Sequence, residues 1–137
     1  MVEKKKDANK AKVAREISKI WGGLESDQIA TLKEHVEITK YKKGEMIYQC
    51  DETPTDAMCL LTGKVKIFKD GINGKSQIIR VIKPNEFFGF RAYFANEIYK
   101  TAAQALDTCT VVHFPLPVLM KLLQKSYKIG HYFIKYL

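Results

Sequence analysis

The stretch from Phe87 to Ala102, FFGFRAYFANEIYKTA, sets two cations, Arg91 and Lys100, on either side of a short aromatic segment. That arrangement suits a loop closing over an anionic small molecule, because a guanidinium or an ammonium forms charged hydrogen bonds with a phosphate or carboxylate. Each cation also has a plainer use. Arg91 can be a surface arginine or a partner of Glu97, and Lys100 a strand-edge lysine in water. Phe87, Phe88, Phe90, Tyr93 and Phe94 fit core packing more readily than a ligand box.

Other chemistry is sparse. Cys50, Cys59 and Cys109 are odd in number, far apart and lack a CxxC spacing. They read as buried, reduced thiols, since structural zinc and iron–sulfur sites normally take four clustered ligands. His113 lies among Val111, Val112 and Phe114, where a hydrogen-bonded structural histidine is expected. His131, near the apolar end of the chain, is the better axial ligand if the protein carries haem, although no CxxCH attachment motif is present. Neither GxSxG nor HExxH occurs, and the GINGK turn resembles neither a P-loop nor a dinucleotide fingerprint, so no enzyme activity is expected.

These residues need a scaffold, and 137 residues suffice for a single domain with its own core. The net charge of +8 gathers at Lys4, Lys5, Lys6, Lys10 and Lys12 and again at Lys121, Lys125, Lys128 and Lys135. Such a balance favours anionic partners, but solvated helix faces account for it equally well. No apolar run approaches a membrane span and the basic start lacks a signal-peptide core, so the chain reads as cytoplasmic.

Residues 1–12 are too polar to pack and are expected to fray. Val13, Ile17, Ile20, Trp21 and Leu24 then fall at helical spacing until Gly22-Gly23 breaks the helix. A second helix carries Ile29, Leu32 and Val36, with Ser26 as its expected cap. The period then changes. Met46 to Cys50, Ala57 to Leu61, KVKIFKD, SQIIRVI and TCTVVHF read as strands, and DGINGK supplies a turn in which Gly71, Asn73 and Gly74 tolerate positive φ. Short strands with regular turns predict an antiparallel roll or barrel. Pro117 opens a helix bearing Val118, Leu119, Leu122 and Leu123, and a last one carries Ile129, Tyr132, Phe133, Tyr136 and Leu137.

The run YKKGEMIYQCDETPTDAMCLLTGKVKIF, then VIKPNEFFGF, then KTAAQALDTCTVVHFP and the leucine-rich helix after it resembles the cyclic-AMP receptor protein/FNR family of bacterial transcription regulators. Gly44, Asp51, Gly63 and Gly89 stand where that family keeps its turn glycines and aspartate. The resemblance covers roughly residues 24 to 137. It implies an α+β fold, an antiparallel β-roll of the double-stranded β-helix or jelly-roll type, flanked by N- and C-terminal helices. The expected division is a basic tail and helix at 1–23, the cyclic-nucleotide-binding-like roll at 24–125, and the start of a dimerisation helix at 126–137. A helix-turn-helix domain that binds DNA is expected to lie outside this chain.

In ligand-binding relatives the phosphate-binding cassette reads Gly-Glu, a short helix, then Arg-Ser or Arg-Thr and Ala. Glycine admits the ligand to the backbone, the helix N-terminus offers N–H groups, and arginine and the hydroxyl bind phosphate. The glutamate accepts from the ribose hydroxyl. Here Gly89 and Thr101 keep their places, but Phe90 stands at the glutamate position and Lys100 at the arginine, leaving Arg91 to replace the missing cation. The ligand-binding set expected is therefore Gly89, Phe90, Arg91, Lys100 and Thr101, with Ile129, Tyr132, Phe133 and Tyr136 at a homodimer interface. The implied function is effector sensing, with a cyclic-nucleotide-like molecule or another anion controlling DNA binding. A haem-based gas or redox sensor and a ligand-free dimerisation module stay open as alternatives.

Overall fold

The computed structural model describes residues 2–136, with side chains from Asn9 onward. The elements run α1 (Val2–Ile20), α2 (Ser26–His35), β1 (Glu37–Tyr41), β2 (Met46–Tyr48), β3 (Asp56–Thr62), β4 (Val65–Asp70), β5 (Ser76–Ile82), β6 (Phe87–Phe88), α3 (Arg91–Phe94), β7 (Ala102–Ala105), β8 (Cys109–Pro115), α4 (Leu116–Lys125) and α5 (Tyr127–Lys135). They cluster in two compact units. Ile38–His113 forms the roll, and the helical segments before and after it gather in the other unit.

The roll is two four-stranded sheets, ordered β1-β8-β3-β6 and β2-β7-β4-β5. The DGINGK turn, with Gly74 at φ 72° while Asn73 is not in the left-handed region, folds β4 back on β5. Their antiparallel register runs from Val65↔Ile82 to Asp70↔Ser76, with a bulge at Ile67/Phe68. Both sheets feed one core, in which Met58, Leu60, Val65, Ile82, Phe88, Ala103 and Val111 are buried together. At Gly63, φ is 94°, and a Cβ would stand 2.5 Å from Cys109 Cβ and 2.6 Å from the Thr108 carbonyl oxygen. Only glycine satisfies both constraints there.

The roll also holds a polar chain. Asp56 Oδ2 lies 3.5 Å from His113 Nδ1, and the Tyr41 hydroxyl lies 2.9 Å from Nε2. A carboxylate only accepts, so the proton belongs on Nδ1 and Tyr41 donates to Nε2. His113 is thus the hydrogen-bonded structural histidine its apolar neighbours suggest.

In the helical unit, Trp21 stands edge-on to Phe114 and Phe133, with ring centroids 5.8 and 5.7 Å away. Such pairs contribute about 0.5–1.5 kcal/mol beyond their buried area. Leu116, Leu119, Leu122 and Ile129 are buried as well.

Four local expectations are corrected. α1 begins at Val2, not Val13, because lysine and alanine are good helix formers even without an apolar stripe. α2 is capped by Glu25 in a capping box with Gln28, not by Ser26. β2 ends at Tyr48, which leaves Cys50 exposed while Cys59 and Cys109 are buried. β1 and β7 are strands that local pattern did not single out.

Candidate functional site

β6 ends at Phe88, and Gly89, at a φ of 81°, turns the chain into α3. The short helix of the cassette is one turn, Arg91–Phe94, with Phe90 as its N-cap residue making no side-chain cap bond. Asn96, at φ 59°, turns the chain out again toward β7. Tyr99 fixes the return segment. Its backbone exchanges bonds with the 51–52 turn, Asp51 N–H to its carbonyl at 2.8 Å and its own N–H to Glu52 at 3.0 Å. Its hydroxyl donates to the Gly89 carbonyl at 2.7 Å, and its ring stacks on Tyr48 with centroids 3.8 Å apart and planes 17° apart. One residue therefore ties both ends of the cassette together.

The cassette borders a cavity of about 410 Å³ lined by the roll alone. All five residues expected to bind ligand, Gly89, Phe90, Arg91, Lys100 and Thr101, lie on its wall. The Tyr48 hydroxyl bonds Thr101 and feels the Arg91 charge, which together offset part of the upward shift that burial gives the phenol. The Tyr99 phenol is raised further, chiefly by burial and then by Tyr48 beside it. Both phenols are neutral donors at ordinary pH. Arg91, Thr101 and Tyr48 thus present a cation and hydroxyls to the cavity, the donor set an anion takes.

Lys100 is exposed and pairs with Glu97 at 3.2 Å. Phe90 is 2% exposed, and it too lines the cavity. At the position where ligand-binding relatives are expected to keep a ribose-accepting carboxylate, this chain thus has a phenyl side chain buried in the core.

Sequence reasoning missed three contributors. Arg80 of β5 lines the cavity and pairs with Glu86 in the turn before β6. Its signal was a lone arginine in the apolar strand SQIIRVI with a carboxylate six residues on. Tyr48 and Tyr99 lie 51 positions apart in the sequence, so their stacking depends on β2 pairing with β7.

The remaining expected residues lie elsewhere. His131 is exposed on α5, and His35 hydrogen-bonds the Thr31 carbonyl at 2.9 Å. No group of three His, Cys, Asp or Glu that could hold a metal occurs among the described residues. Ile129 and Phe133 are buried within the chain itself, at 0% and 2% exposure, so they already have a partner surface. Tyr132 is half-buried and Tyr136 exposed. Tyr127 and Ile134 of α5 and its C-cap residue Tyr136 are exposed large apolar residues. Leu137 lies outside the described residues.

A β-roll of two four-stranded sheets whose glycine-led cassette borders a solvent-open cavity has the architecture of a small-molecule-binding domain. Residues 38–126, well over half the chain, match the family described as "Cyclic nucleotide-binding domain", and the chain belongs to that family. The sensor domain of the transcriptional regulator DNR from Pseudomonas aeruginosa shares the fold at a TM-score of 0.77 and 17% identity, over 92% of this chain and 87% of that one. The catabolite activator protein of Thermus thermophilus superposes at a TM-score of 0.73 and 15% identity, over 85% of this chain and 55% of that one. An uncharacterised Haemophilus influenzae protein is 33% identical over 75 residues, which are 54% of this chain and 58% of that protein. The chain thus spans little more than half the length of the last two. Among the described residues, no helix is long and apolar enough to cross a membrane.

Proposed function

We propose that this chain is the effector-sensing and dimerisation part of a cytoplasmic transcription regulator, and that its cavity binds a small anionic effector in a manner different from that of cyclic AMP. The observation that supports the reading is that Arg91, Lys100 and Thr101 all border one cavity, while the residue expected at the ribose-accepting position, Phe90, is buried. Phenylalanine accepts no hydrogen bond, and lysine lacks the planar fork of arginine. Each lost charged hydrogen bond weakens binding by about 1.5–3 kcal/mol, roughly ten- to a hundredfold. In this reading, effector binding biases α5 helices paired in a homodimer through the outward Tyr127, Ile134 and Tyr136, and DNA is bound by a helix-turn-helix domain outside these residues.

Titration calorimetry against cyclic AMP and cyclic GMP tests the reading of Phe90. The expected result is no submicromolar binding of either, and submicromolar binding of one of them refutes it.

A further inference from the structure

β5 forms one edge of its sheet. Among the described residues it pairs with β4 alone, so a row of its N–H and C=O groups points outward with no strand to receive it. The other edges are short or charged. β2 and β6 hold three and two residues, and β1 carries Glu37 and Lys40 within five. β5 runs for seven residues, Ser76–Ile82, with no proline or lysine inside it. The bulge at Ile67/Phe68 sets Ile79 out of register and leaves regular pairing on both sides of it.

This edge is apolar as well as open. Ile78, Ile79 and Val81 are 53%, 54% and 38% exposed, and Ile72 in the preceding turn is fully exposed. Ile78 pairs with Phe68 and Val81 with Lys66, whose ammonium lies 4.7 Å from the Phe68 ring centroid. These four share the face turned away from the buried Val65 and Ile82.

Charge selects the occupant. Between Lys64 and Lys83 the hairpin adds Lys66, Lys69, Lys75 and Arg80, and its only carboxylate is Asp70. Arg80 is taken by Glu86, but none of those lysines joins an ion pair among the described residues. A second β5 laid alongside would bring these lysines against their own copies, and like charges repel. Nucleic acid would meet the lysines but gain little from aliphatic side chains, since single strands are held by stacking on aromatic rings. An extended, acidic and apolar peptide suits the backbone edge, the aliphatic side chains and the lysines together.

We propose that β5 accepts an acidic, apolar segment of a partner protein, which adds to the sheet as a further strand. Its backbone bonds the open edge, its aliphatic side chains cover Ile78 and Val81, and its carboxylates meet the lysines of the hairpin. The proposal is independent of what the cavity binds.

The test is fluorescence anisotropy of the full chain with the capped, labelled heptapeptide EVEVEVE, alongside KVKVKVK, the proline-broken EVEPEVE and an oligothymidylate. EVEVEVE is expected to bind. KVKVKVK, which reverses the charge, and EVEPEVE, which removes a backbone donor, are each expected to be at least about tenfold weaker. Amide exchange should slow in β5 when EVEVEVE binds, and not in β1, the edge of the other sheet. Ile78→Ser with Val81→Ser, and separately Lys69→Glu with Lys75→Glu, all at exposed positions, should each weaken EVEVEVE by about tenfold. Equal binding of EVEVEVE and EVEPEVE is adsorption by charge alone and overturns the proposal. So does binding of the oligothymidylate without EVEVEVE, or no binding of EVEVEVE at all. Exchange in β5 that slows with rising protein concentration in the absence of peptide overturns it too, since a second copy then occupies the edge.

Discussion

Gly89 is the hinge on which the cassette enters the cavity, and the cost of adding one methyl there can be worked out from its surroundings. At φ 81° an L-residue is in the left-handed region, where a Cβ costs about 1–2 kcal/mol. The new carbon would also stand 2.1 Å from Met58 Cε and 3.3 Å from the Tyr99 hydroxyl. Met58 Cε is the far end of an unbranched, adaptable side chain. It escapes by leaving its rotamer, at about 0.5–1.5 kcal/mol. Gly89→Ala should therefore destabilise the chain by about 1.5–3.5 kcal/mol in all.

Gly63→Ala carries the same backbone cost at φ 94° but meets Cys109 Cα at 2.8 Å and the Thr108 carbonyl oxygen at 2.6 Å. No rotamer change relieves a clash with backbone. The turn must move away from β8, which adds about 1–3 kcal/mol of overpacking, or more. Urea unfolding separates the two: with an m-value of about 1–3 kcal/mol/M, Gly89→Ala should lower the midpoint by roughly 1 M and Gly63→Ala by more. A Met58→Ala background sharpens the test by removing the obstacle at Gly89. There the cost of Gly89→Ala should shrink to the backbone part alone, while that of Gly63→Ala stays whole. If Gly89→Ala costs as much in that background as in the native chain, the steric reasoning is wrong.

Two further outcomes follow from the same geometry. Burial pushes the Cys59 thiol up to about 12 and raises that of Cys109, whereas Cys50 is exposed. A thiol reagent at neutral pH should therefore label one cysteine per native chain, Cys50, and all three only after denaturation; rapid native labelling of Cys59 would contradict the packing of β3. Burial also holds the His113 imidazole below its ordinary value, with the facing Asp56 carboxylate opposing the shift. The unfolded chain then takes up that proton first, so stability is full above about pH 6.5 and falls as pH drops from there through the folded value. His113→Gln should remove this part of the acid slope in urea midpoints, and an unchanged slope would show that His113 does not carry it.

The fold was legible where backbone chemistry forces the residue. Gly44, Asp51, Gly63 and Gly89, whose joint spacing carried the family resemblance, all adopt positive φ, at 92°, 74°, 94° and 81°. A pattern of such turns fixes where strands must end and so conveys the roll. β7 was not legible because AAQA has no β-branched or aromatic residue. It is a strand because β2 and β4 both pair with it, the context dependence expected of β-propensity. The helical stripe of α5 shows the same limit. Periodicity reports that Ile129 and Phe133 share an apolar face but cannot say what covers it, and Trp21, more than a hundred residues earlier, packs against Phe133.

The candidate site was half legible for a similar reason. Its cassette is contiguous, so Gly89, Arg91, Lys100 and Thr101 could be read together, whereas Arg80 reaches the cavity from another strand. The structure also changes what the cations mean. Lys100 is bound to Glu97 across three residues, with side chains 69% and 47% exposed. Such pairs are worth at most about 1 kcal/mol. Arg80 and Glu86 are each about two-thirds buried, and Glu86 also accepts the Lys83 N–H at 2.9 Å, so that pair staples a turn as well as balancing a charge. On the proposed anion-site reading, an arriving anion can draw Lys100 away from Glu97 at little cost, but drawing on Arg80 loosens the turn before β6. On that reading the anion's charge should settle on the Lys100 side of the cavity, which Arg91, Thr101 and Tyr48 also border.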